Sequence, residues 1–360
     1  MKKILPLIFV MIVFSLNVFS QVIDSNKSEE VTDTIFTISP EDDQNAERLY
    51  NDGIVLFDQG KLAEAVKKFD EAIKLKPNFD KAYYNRGTIR YELEKFSEAI
   101  SDFNNVLIFN PSDKVYFSRG LARYKYNDKD GALRDFEKTI ELNSKHPQAY
   151  YYKGFMNFEN KKYEAAIADY SKAIELKPDY AYAYNDRGSA KRKLEKYQEA
   201  LTDYRKATQL NPQLAFTYNN LGSVKKRLED YKGAIAEYTY AIELKADYYL
   251  AYNNRGSVYF ELGEYEKAIA DYTKAIELKP DYAFAYNNRG NAQYKLKDYK
   301  KAVADYDKAI ELNSNYGYAY LNRGISKEML RDSNGACSDW QKAFSLGVNS
   351  AEKYVMSQCK

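Results

Sequence analysis

Residues 251–280 read AYNNRGSVYFELGEYEKAIADYTKAIELKP, and versions of this stretch recur along most of the chain. The glycine of its Asn-Asn-Arg-Gly phrase returns every 34 residues, except for one interval of 33. The nine glycines are Gly53, Gly87, Gly120, Gly154, Gly188, Gly222, Gly256, Gly290 and Gly324. A fixed period of this length is typical of stacked-repeat proteins. We therefore number positions within each repeat from its glycine, so that Arg255 is at −1 and Ser257 at +1 in the seventh repeat.

Small and aromatic residues accompany every glycine. In all nine repeats an alanine stands at +12 and an aromatic residue at +16, while −4 is tyrosine in all but the first repeat, which has Leu49. Glycine within a helix costs about 1 kcal/mol relative to alanine, so its recurrence implies close packing against another helix. Each repeat is predicted to be two helices that touch at the glycine and the alanine, with the aromatic rings beside that contact. Proline is predicted to stop several second helices, at Pro77, Pro111, Pro178, Pro212 and Pro280.

This order of aromatic, glycine, alanine, aromatic, alanine and proline residues resembles the tetratricopeptide-repeat family over residues 45–346. The resemblance implies an all-α fold, a right-handed superhelical α-solenoid of nine helix-turn-helix repeats whose first helices line a concave side. Residues 347–360 are predicted to be a capping helix, because Tyr354 falls on the aromatic position while Gln358 replaces the glycine.

The N-terminal residues have a different composition. Residues 1–20 are predicted to be a signal peptide, with Lys2 and Lys3 before an apolar run; an uncleaved membrane anchor is the alternative. Residues 21–44 are acidic and lack a helical period, so they are predicted to be a flexible tether. The expected location is therefore periplasmic or secreted. In an exported protein Cys337 and Cys359 are candidates for a disulfide, and two separate thiols are the alternative.

A charged pair recurs within the repeats. Position −1 is Arg or Lys in seven repeats, each with Asp 16 residues later, whereas the family usually has leucine at −1. The first repeat has Asp52 and Lys68, in the reverse order, and the sixth has Leu221 and Glu237. The reversal favours an ion pair within each repeat, and a ligand-binding row of arginines is the alternative. The seven cations are Arg86, Arg119, Lys153, Arg187, Arg255, Arg289 and Arg323.

Asparagines at −2 and −3 are the first candidate binding residues, since the first helices are expected to present −6, −3, −2, +1 and +4 to the concave side. This row resembles the asparagine ladder in the repeat domain of O-linked N-acetylglucosamine transferase, where amides hold the backbone of an extended peptide. An amide both donates and accepts, so it suits a peptide backbone. Asparagine copied by repeat duplication is the alternative. The row comprises Asn51, Asn85, Asn185, Asn219, Asn220, Asn253, Asn254, Asn287, Asn288 and Asn322.

Two further groups of candidates vary along the array. Repeats one to four have aromatic residues at −3 that are predicted to bind apolar side chains of a peptide, with inter-repeat packing as the alternative: Tyr50, Tyr84, Phe117 and Tyr151. Repeats five and six end their first helices with cations that are predicted to form an anion-binding patch; favourable placement at helix C-termini is the alternative. These cations are Lys191, Arg192, Lys193, Lys225, Lys226 and Arg227.

Composition narrows the functional classes. Without Lys2 and Lys3 the numbers of basic and acidic residues are equal, which gives no reason to expect nucleic-acid binding. His146 is the only histidine, and no metal-binding cluster, catalytic nucleophile or phosphate loop is apparent. We therefore predict a non-enzymatic scaffold that binds a protein or an extended peptide, without a cofactor, metal or small-molecule substrate. Membrane association is expected only through an uncleaved signal. A recruiting subunit of an envelope-assembly or secretion complex is the alternative.

Overall fold

The computed structural model describes residues 38–359, all of whose regular elements are helices. The predicted signal peptide and residues 21–37 of the predicted tether lie outside the described residues. The first helices of the nine repeats are α1 (Pro40–Asp58), α3 (Asp80–Glu92), α5 (Asp113–Lys125), α7 (Pro147–Glu159), α9 (Ala181–Lys193), α11 (Ala215–Arg227), α13 (Tyr249–Glu261), α15 (Ala283–Lys295) and α17 (Gly317–Met329). The second helices are α2 (Leu62–Leu75), α4 (Phe96–Phe109), α6 (Lys129–Leu142), α8 (Tyr163–Leu176), α10 (Tyr197–Leu210), α12 (Tyr231–Leu244), α14 (Tyr265–Leu278), α16 (Tyr299–Leu312) and α18 (Ser333–Ser345).

The chain divides into two compact units, and the first, which ends at Phe79, contains repeat one. Helix α1 begins at Pro40, so residues 40–44 belong to this helix and the predicted tether boundary at 44 is wrong. Ser39 caps the helix by accepting a hydrogen bond from the Asp42 backbone nitrogen. Acidic residues in the first turn stabilise the helix, because their negative charges interact favourably with the positive end of the helix dipole. Some of the acidic residues on which the tether prediction rested therefore belong to the first turn of α1 and stabilise it.

The second unit contains repeats two to nine and the C-terminal cap. Each first helix packs against the second helix of its own repeat and against the second helix of the repeat before it within this unit. Helix α4 ends at Phe109, two residues before Pro111, and α6 ends at the equivalent Leu142 although Ser144 replaces the proline. The proline is therefore not required for the helix to end at this position.

The glycine contact takes the predicted form in both units. A Cβ atom added to Gly222 would lie 2.9 Å from the Tyr238 ring, and one added to Gly53 would lie 2.7 Å from the Phe69 ring. The alanines at +12 are completely buried in all nine repeats. Small side chains at these two positions therefore let the paired helices approach closely.

The turn between the two helices of each repeat contains a left-handed residue at +7. Gly60 and Gly263 occupy this position in two repeats, and the other seven use non-glycine residues with φ between 59° and 69°. That conformation costs a non-glycine residue roughly 1 kcal/mol. The tightly packed helices on each side impose the same turn whichever residue is present.

The C-terminal cap is shorter than residues 347–360. A 3-10 turn at Asn349–Ala351 leads into α19 (Glu352–Gln358). The Tyr354 ring stacks on Trp340 of α18 with ring centroids 4.8 Å apart. Cys337 and Cys359 form a disulfide, with Cα atoms 5.4 Å apart, which links α18 to the end of the cap.

From 38 to 359, no helix combines the length and apolar composition needed to cross a bilayer. Over the same range, no group of three or more His, Cys, Asp and Glu side chains is arranged to hold a metal ion.

Candidate functional site

The −1 arginines are held by carboxylates of their own repeats. Arg255 donates through Nε and Nη2 to Asp271, at 2.8 and 2.7 Å, and its Nη1 donates to Thr239 of the preceding repeat. The same hydrogen bonds with Asp271 raise the pKa of Arg255. Cation–carboxylate contacts confirm the predicted pair in repeats two to five and seven to nine. Because their donors are used within the protein, these arginines form a structural row.

The two exceptional repeats behave differently. In repeat one Lys68 pairs with Glu71 on its own helix, at 2.8 Å, so among the described residues the predicted pair with Asp52 is not formed and that prediction is wrong. The i,i+3 partner on the same helix is simply closer. In repeat six Lys225, at +3, pairs with Glu237 at 2.6 Å and so replaces the missing −1 cation.

The asparagines of repeats five to nine form a hydrogen-bonded ladder between repeats. Each −2 amide nitrogen donates to the −3 Oδ1 of the preceding repeat. The four bonds run from Asn220 to Asn185, from Asn254 to Asn219, from Asn288 to Asn253 and from Asn322 to Asn287, at 3.1, 2.9, 3.0 and 3.1 Å. The −3 side chains are buried and the −2 side chains are half-buried. The prediction of one surface row is therefore wrong for position −3, whose residues lie inside and orient the −2 amides.

The predicted aromatic groove residues lie in the packing between helices. Phe117 is only 8% exposed and contacts the rings of Phe136, His146 and Tyr152. Tyr84 packs against Phe103 and shares a hydrogen bond with Ser118. Position −3 is thus an interior position in these repeats too, which corrects the predicted apolar binding surface. Tyr50, in the first unit, likewise packs on Phe69 and Phe79.

The remaining two predicted amides lie nearer the N-terminus. Asn51 is exposed on α1, beside a shallow cavity of about 590 Å³ that Gln44 and Arg48 also line. Asn85 is half-buried on α3. The continuous ladder is therefore confined to repeats five to nine.

Asp186 joins the aromatic seam to the amide seam. Its carboxylate accepts hydrogen bonds from the Tyr151 hydroxyl, at 2.7 Å, and from the Asn185 amide, at 2.8 Å. A phenol at −3 can donate to the −2 residue of the next repeat, whereas an asparagine Oδ1 only accepts, and Asp186 is the −2 residue that accepts from a phenol. Burial raises the pKa of Asp186, and the two hydrogen bonds act in the opposite direction.

A second polar row, at +1, was not identified from the sequence. Where the +16 ring is tyrosine, its hydroxyl bonds the +1 side chain: Tyr204 to Ser189, Tyr238 to Ser223 and Tyr306 to Asn291. Burial raises the pKa of Tyr238 to about 12. Tyr170 is the exception, because the residue at +1 in its repeat is Phe155. The buried hydroxyl of Tyr170 therefore has no hydrogen-bond partner among the described residues. Joint variation of +1 and +16 along the repeats is the signal that would have indicated this row.

The predicted basic patch separates into two groups. Lys191 pairs with Asp203 at 2.9 Å, and Lys225 pairs with Glu237, so these two +3 cations are structural. Arg192, Lys193, Lys226 and Arg227 instead line a cavity of about 700 Å³ beside repeats five to seven. Lys226 also pairs with Glu261 at 2.8 Å. The patch therefore contributes four of its six cations to one cavity.

His146 has a structural position. Its Nδ1 accepts a hydrogen bond from the Ala149 backbone nitrogen at the start of α7, and its ring packs on Phe117 at 4.6 Å. Burial lowers the pKa of His146. The neutral imidazole therefore serves as a helix cap.

The chain matches models of tetratricopeptide-repeat families. Models described as TPR repeat match residues 53–94, 154–194, 188–229 and 256–297, and models described as tetratricopeptide repeat match residues 217–248 and 283–316. Together the matches cover more than half of the chain. A search of curated proteins found no match.

Solved structures with a similar fold include the APC/C hetero-tetramer Cut9–Hcn1, at 14% identity and a TM-score of 0.58, covering 91% of this chain and 79% of that one. Pseudomonas aeruginosa pilF is similar at 20% identity and a TM-score of 0.52, covering 58% and 96%. YrrB, described as a TPR protein with an unusual peptide-binding site, has 28% identity and a TM-score of 0.42, covering 51% and 95%. The first two likenesses agree with the repeated helical fold.

Proposed function

Because the chain belongs to the tetratricopeptide-repeat family, we propose that it is a non-enzymatic scaffold that binds a protein partner through an extended peptide. The proposed binding surface is formed by the first helices of repeats five to nine. The −2 amides of Asn220, Asn254, Asn288 and Asn322 would hold the backbone of the peptide.

The anchored amide ladder is the observation that carries this proposal. Each −2 amide is oriented through its nitrogen by the ladder bond, so little conformational freedom is lost when a ligand binds. Among the described residues, the −2 Oδ1 atoms accept no hydrogen bond and are free to accept one from a peptide N–H. The Nδ2 atoms of Asn219, Asn253 and Asn287 likewise donate to none of them, which leaves a donor for a peptide carbonyl.

Repetition explains why such a surface would suit a backbone rather than one particular sequence. The acceptor recurs once per repeat from repeat six to repeat nine and the donor from repeat six to repeat eight, and a peptide backbone also repeats its donors and acceptors at regular intervals. Side-chain selectivity would then come from residues that differ between repeats, at +4 and −6. Tyr182, Phe216, Phe284 and Tyr318 stand at −6 in four of these repeats.

Peptide display tests the proposal. A library of short random peptides is selected on the purified chain and on a variant with Asn220, Asn254 and Asn288 changed to alanine. The wild-type chain should enrich peptides, and the triple variant should recover far fewer because three backbone contacts are lost.

A comparison variant separates the contribution of the −2 amides from that of one −3 residue. Asn253→Leu removes one ladder acceptor and one peptide donor but leaves every −2 side chain in place, and leucine occurs naturally at −3 in repeat nine as Leu321. This control should lose less peptide recovery than the triple variant. Equal recovery by the wild-type chain and the triple variant would contradict the proposed surface.

We also propose that the protein acts outside the cytoplasm, in the periplasm or as a secreted protein. The apolar segment within residues 1–20 supports this, as does the disulfide between Cys337 and Cys359, because disulfides persist in oxidising compartments. Cell fractionation of chains with and without residues 1–20 tests it. The full chain should be exported with no free thiol, and cytoplasmic retention of the full chain would refute the proposal.

A further inference from the structure

The +4 position changes its chemistry in the middle of the array. It is aromatic in repeats one to four, as Phe57, Tyr91, Tyr124 and Phe158, and again in repeats seven and eight, as Phe260 and Tyr294. Repeats five and six have Arg192 and Lys226 instead. Two adjacent repeats therefore present cations where most of the others present rings.

The aromatic +4 residues cover the start of the second helix in their repeats. Phe158 packs on Tyr163 with ring centroids 5.5 Å apart, and Phe260 packs on Tyr265 at 5.4 Å. In repeats five and six the equivalent rings, Tyr197 and Tyr231, line the cavity of about 700 Å³. Substitution of the ring by a longer, charged side chain therefore leaves space at this position.

Arg192 is the cation of this cavity that has a buried nitrogen without an acceptor. Within the described chain it forms no ion pair, and its buried Nε has no hydrogen-bond partner. A buried donor without an acceptor carries a desolvation penalty that a bound oxyanion would remove. Arg192 also acts on Tyr204. Burial raises the pKa of the Tyr204 phenol, and the positive charge of Arg192 opposes that rise.

The other charges at the cavity are unevenly matched. Lys193 and Arg227 are exposed and form no ion pair within residues 38–359, and Lys226 is paired with Glu261. Glu195 and Glu229 also line the cavity, from the exposed turns. Four cations thus face three carboxylates, and Arg192, which is half-buried, contributes the buried Nε.

We infer that this cavity binds the carboxylate of an aspartate or glutamate side chain in the bound peptide, with the Arg192 guanidinium as its main partner. Arginine suits this role because its planar fork matches the two oxygens of a carboxylate. The inference rests on the proposed function, because Asn254 of the amide ladder lines the same cavity. A backbone held along the ladder would pass beside Arg192, where a side chain could enter the cavity. The array thereby gains selectivity for acidic peptides at one point along an otherwise repeated surface.

The experiment compares selections of a random peptide library on the full chain and on Arg192→Gln. The wild-type chain should enrich Asp or Glu at one position of the recovered peptides, and Arg192→Gln should abolish that enrichment. For a single recovered peptide, affinity should fall roughly tenfold on Arg192→Gln, and also when its acidic residue is changed to the amide.

Two further variants control for charge and folding. Arg205→Gln removes an exposed arginine from α10 and should keep the acidic preference. Arg192→Phe restores the kind of residue found in repeats four and seven, so it should fold normally and still lose the preference. Arg192→Lys should keep a weaker preference, because a positive charge remains without the fork.

The outcomes separate the inference from the proposed function. Enriched peptides without an acidic preference, or a preference that survives both Arg192→Gln and Arg192→Phe, overturn the carboxylate site alone. Recovery of no peptide by the wild-type chain overturns the proposed function and the carboxylate site together.

Discussion

Repeats two to four and repeats five to eight share one packing arrangement within the repeat but use different chemistry between repeats. At −3 the first group has Tyr84, Phe117 and Tyr151, which pack against other rings, and the hydroxyls of the two tyrosines also hydrogen bond to the next repeat. The second group has asparagines that hydrogen bond to the next repeat. The stabilisation gained by burying apolar area does not depend on direction, whereas a hydrogen bond between two side-chain amides requires a particular orientation. One helical framework therefore accepts either a seam formed mainly by packed rings or a seam formed by oriented amides, and the amide seam is the one suited to present polar groups.

The second helices also become more polar towards the amide region. The +16 residue is phenylalanine in repeats one to three, and Phe103 and Phe136 are fully buried rings without a polar atom. From repeat four to repeat eight it is tyrosine, and most of its hydroxyls bond a +1 side chain. The amide region is therefore polar at two interior positions, so its stability should depend more on individual hydrogen bonds.

The largest expected effect is on the aromatic seam. Phe117→Ala should cost about 3–5 kcal/mol because it removes a buried ring that contacts three other rings. Hydrogen exchange should show lost protection in α5–α7 and little change beyond repeat six. Phe284→Ala is the matched control, since Phe284 is 52% exposed, and it should cost less than about 1 kcal/mol. Similar costs for the two variants would contradict the interior placement of −3.

A smaller effect is expected on the amide seam. Asn253→Ala removes the acceptor for Asn288 and should cost about 1 kcal/mol, because water reaches the half-buried partner. A double-mutant cycle with Asn288→Ala isolates the coupling between the two side chains. We expect a favourable coupling, and a value of zero would mean that the ladder bond contributes nothing to stability.

The phenol pairs provide a matched test within the tyrosine repeats. Tyr204→Phe should cost about 1 kcal/mol by removing the bond to Ser189, whereas Tyr170→Phe should be neutral or stabilising because that hydroxyl is buried without a partner. Chemical denaturation of the two variants measures the difference. Equal destabilisation would show that the +1 contact does not stabilise the fold.

The smallest expected effect lies at the junction, where Asp186 titrates. Its pKa in the folded chain is raised above the ordinary 3.8, so its contribution to stability is present at low pH and is lost as pH rises through the folded pKa. Asp186→Asn should therefore gain stability relative to the wild-type chain as pH increases from below 4 to neutral. Thermal unfolding across this range measures the gap, with the exposed Asp179→Asn as the control. A loss of stability by Asp186→Asn relative to the wild-type chain as pH rises would contradict the direction of the shift.

Much of the fold could be predicted because its determinants lie within a single repeat. Gly256, Ala268 and Tyr272 contact one another across two consecutive helices, so their spacing reports the contact directly. The ion pair of Arg255 with Asp271 was predictable for the same reason, since both residues belong to one helix pair. Start signals were harder to interpret, because the acidic first turn of α1 has the same composition as a tether.

The binding surface was only partly predictable. Asn253 and Asn254 are adjacent in sequence and identical in chemistry, yet one is buried and the other is half-buried. Lys191 and Arg192 are likewise adjacent, and one is paired with Asp203 while the other lines a cavity. Which of two neighbours is interior depends on the angle at which each first helix meets the next repeat.

The sequence by itself determined the period, the helix pairs and the residues at their closest contact, because those interactions recur at short, constant separations along the chain. The tertiary structure alone decided which amides are anchors and which can bind, and which cations remain without a partner. Those properties arise between repeats, where the rotation of one helix pair against the next sets the burial of each side chain.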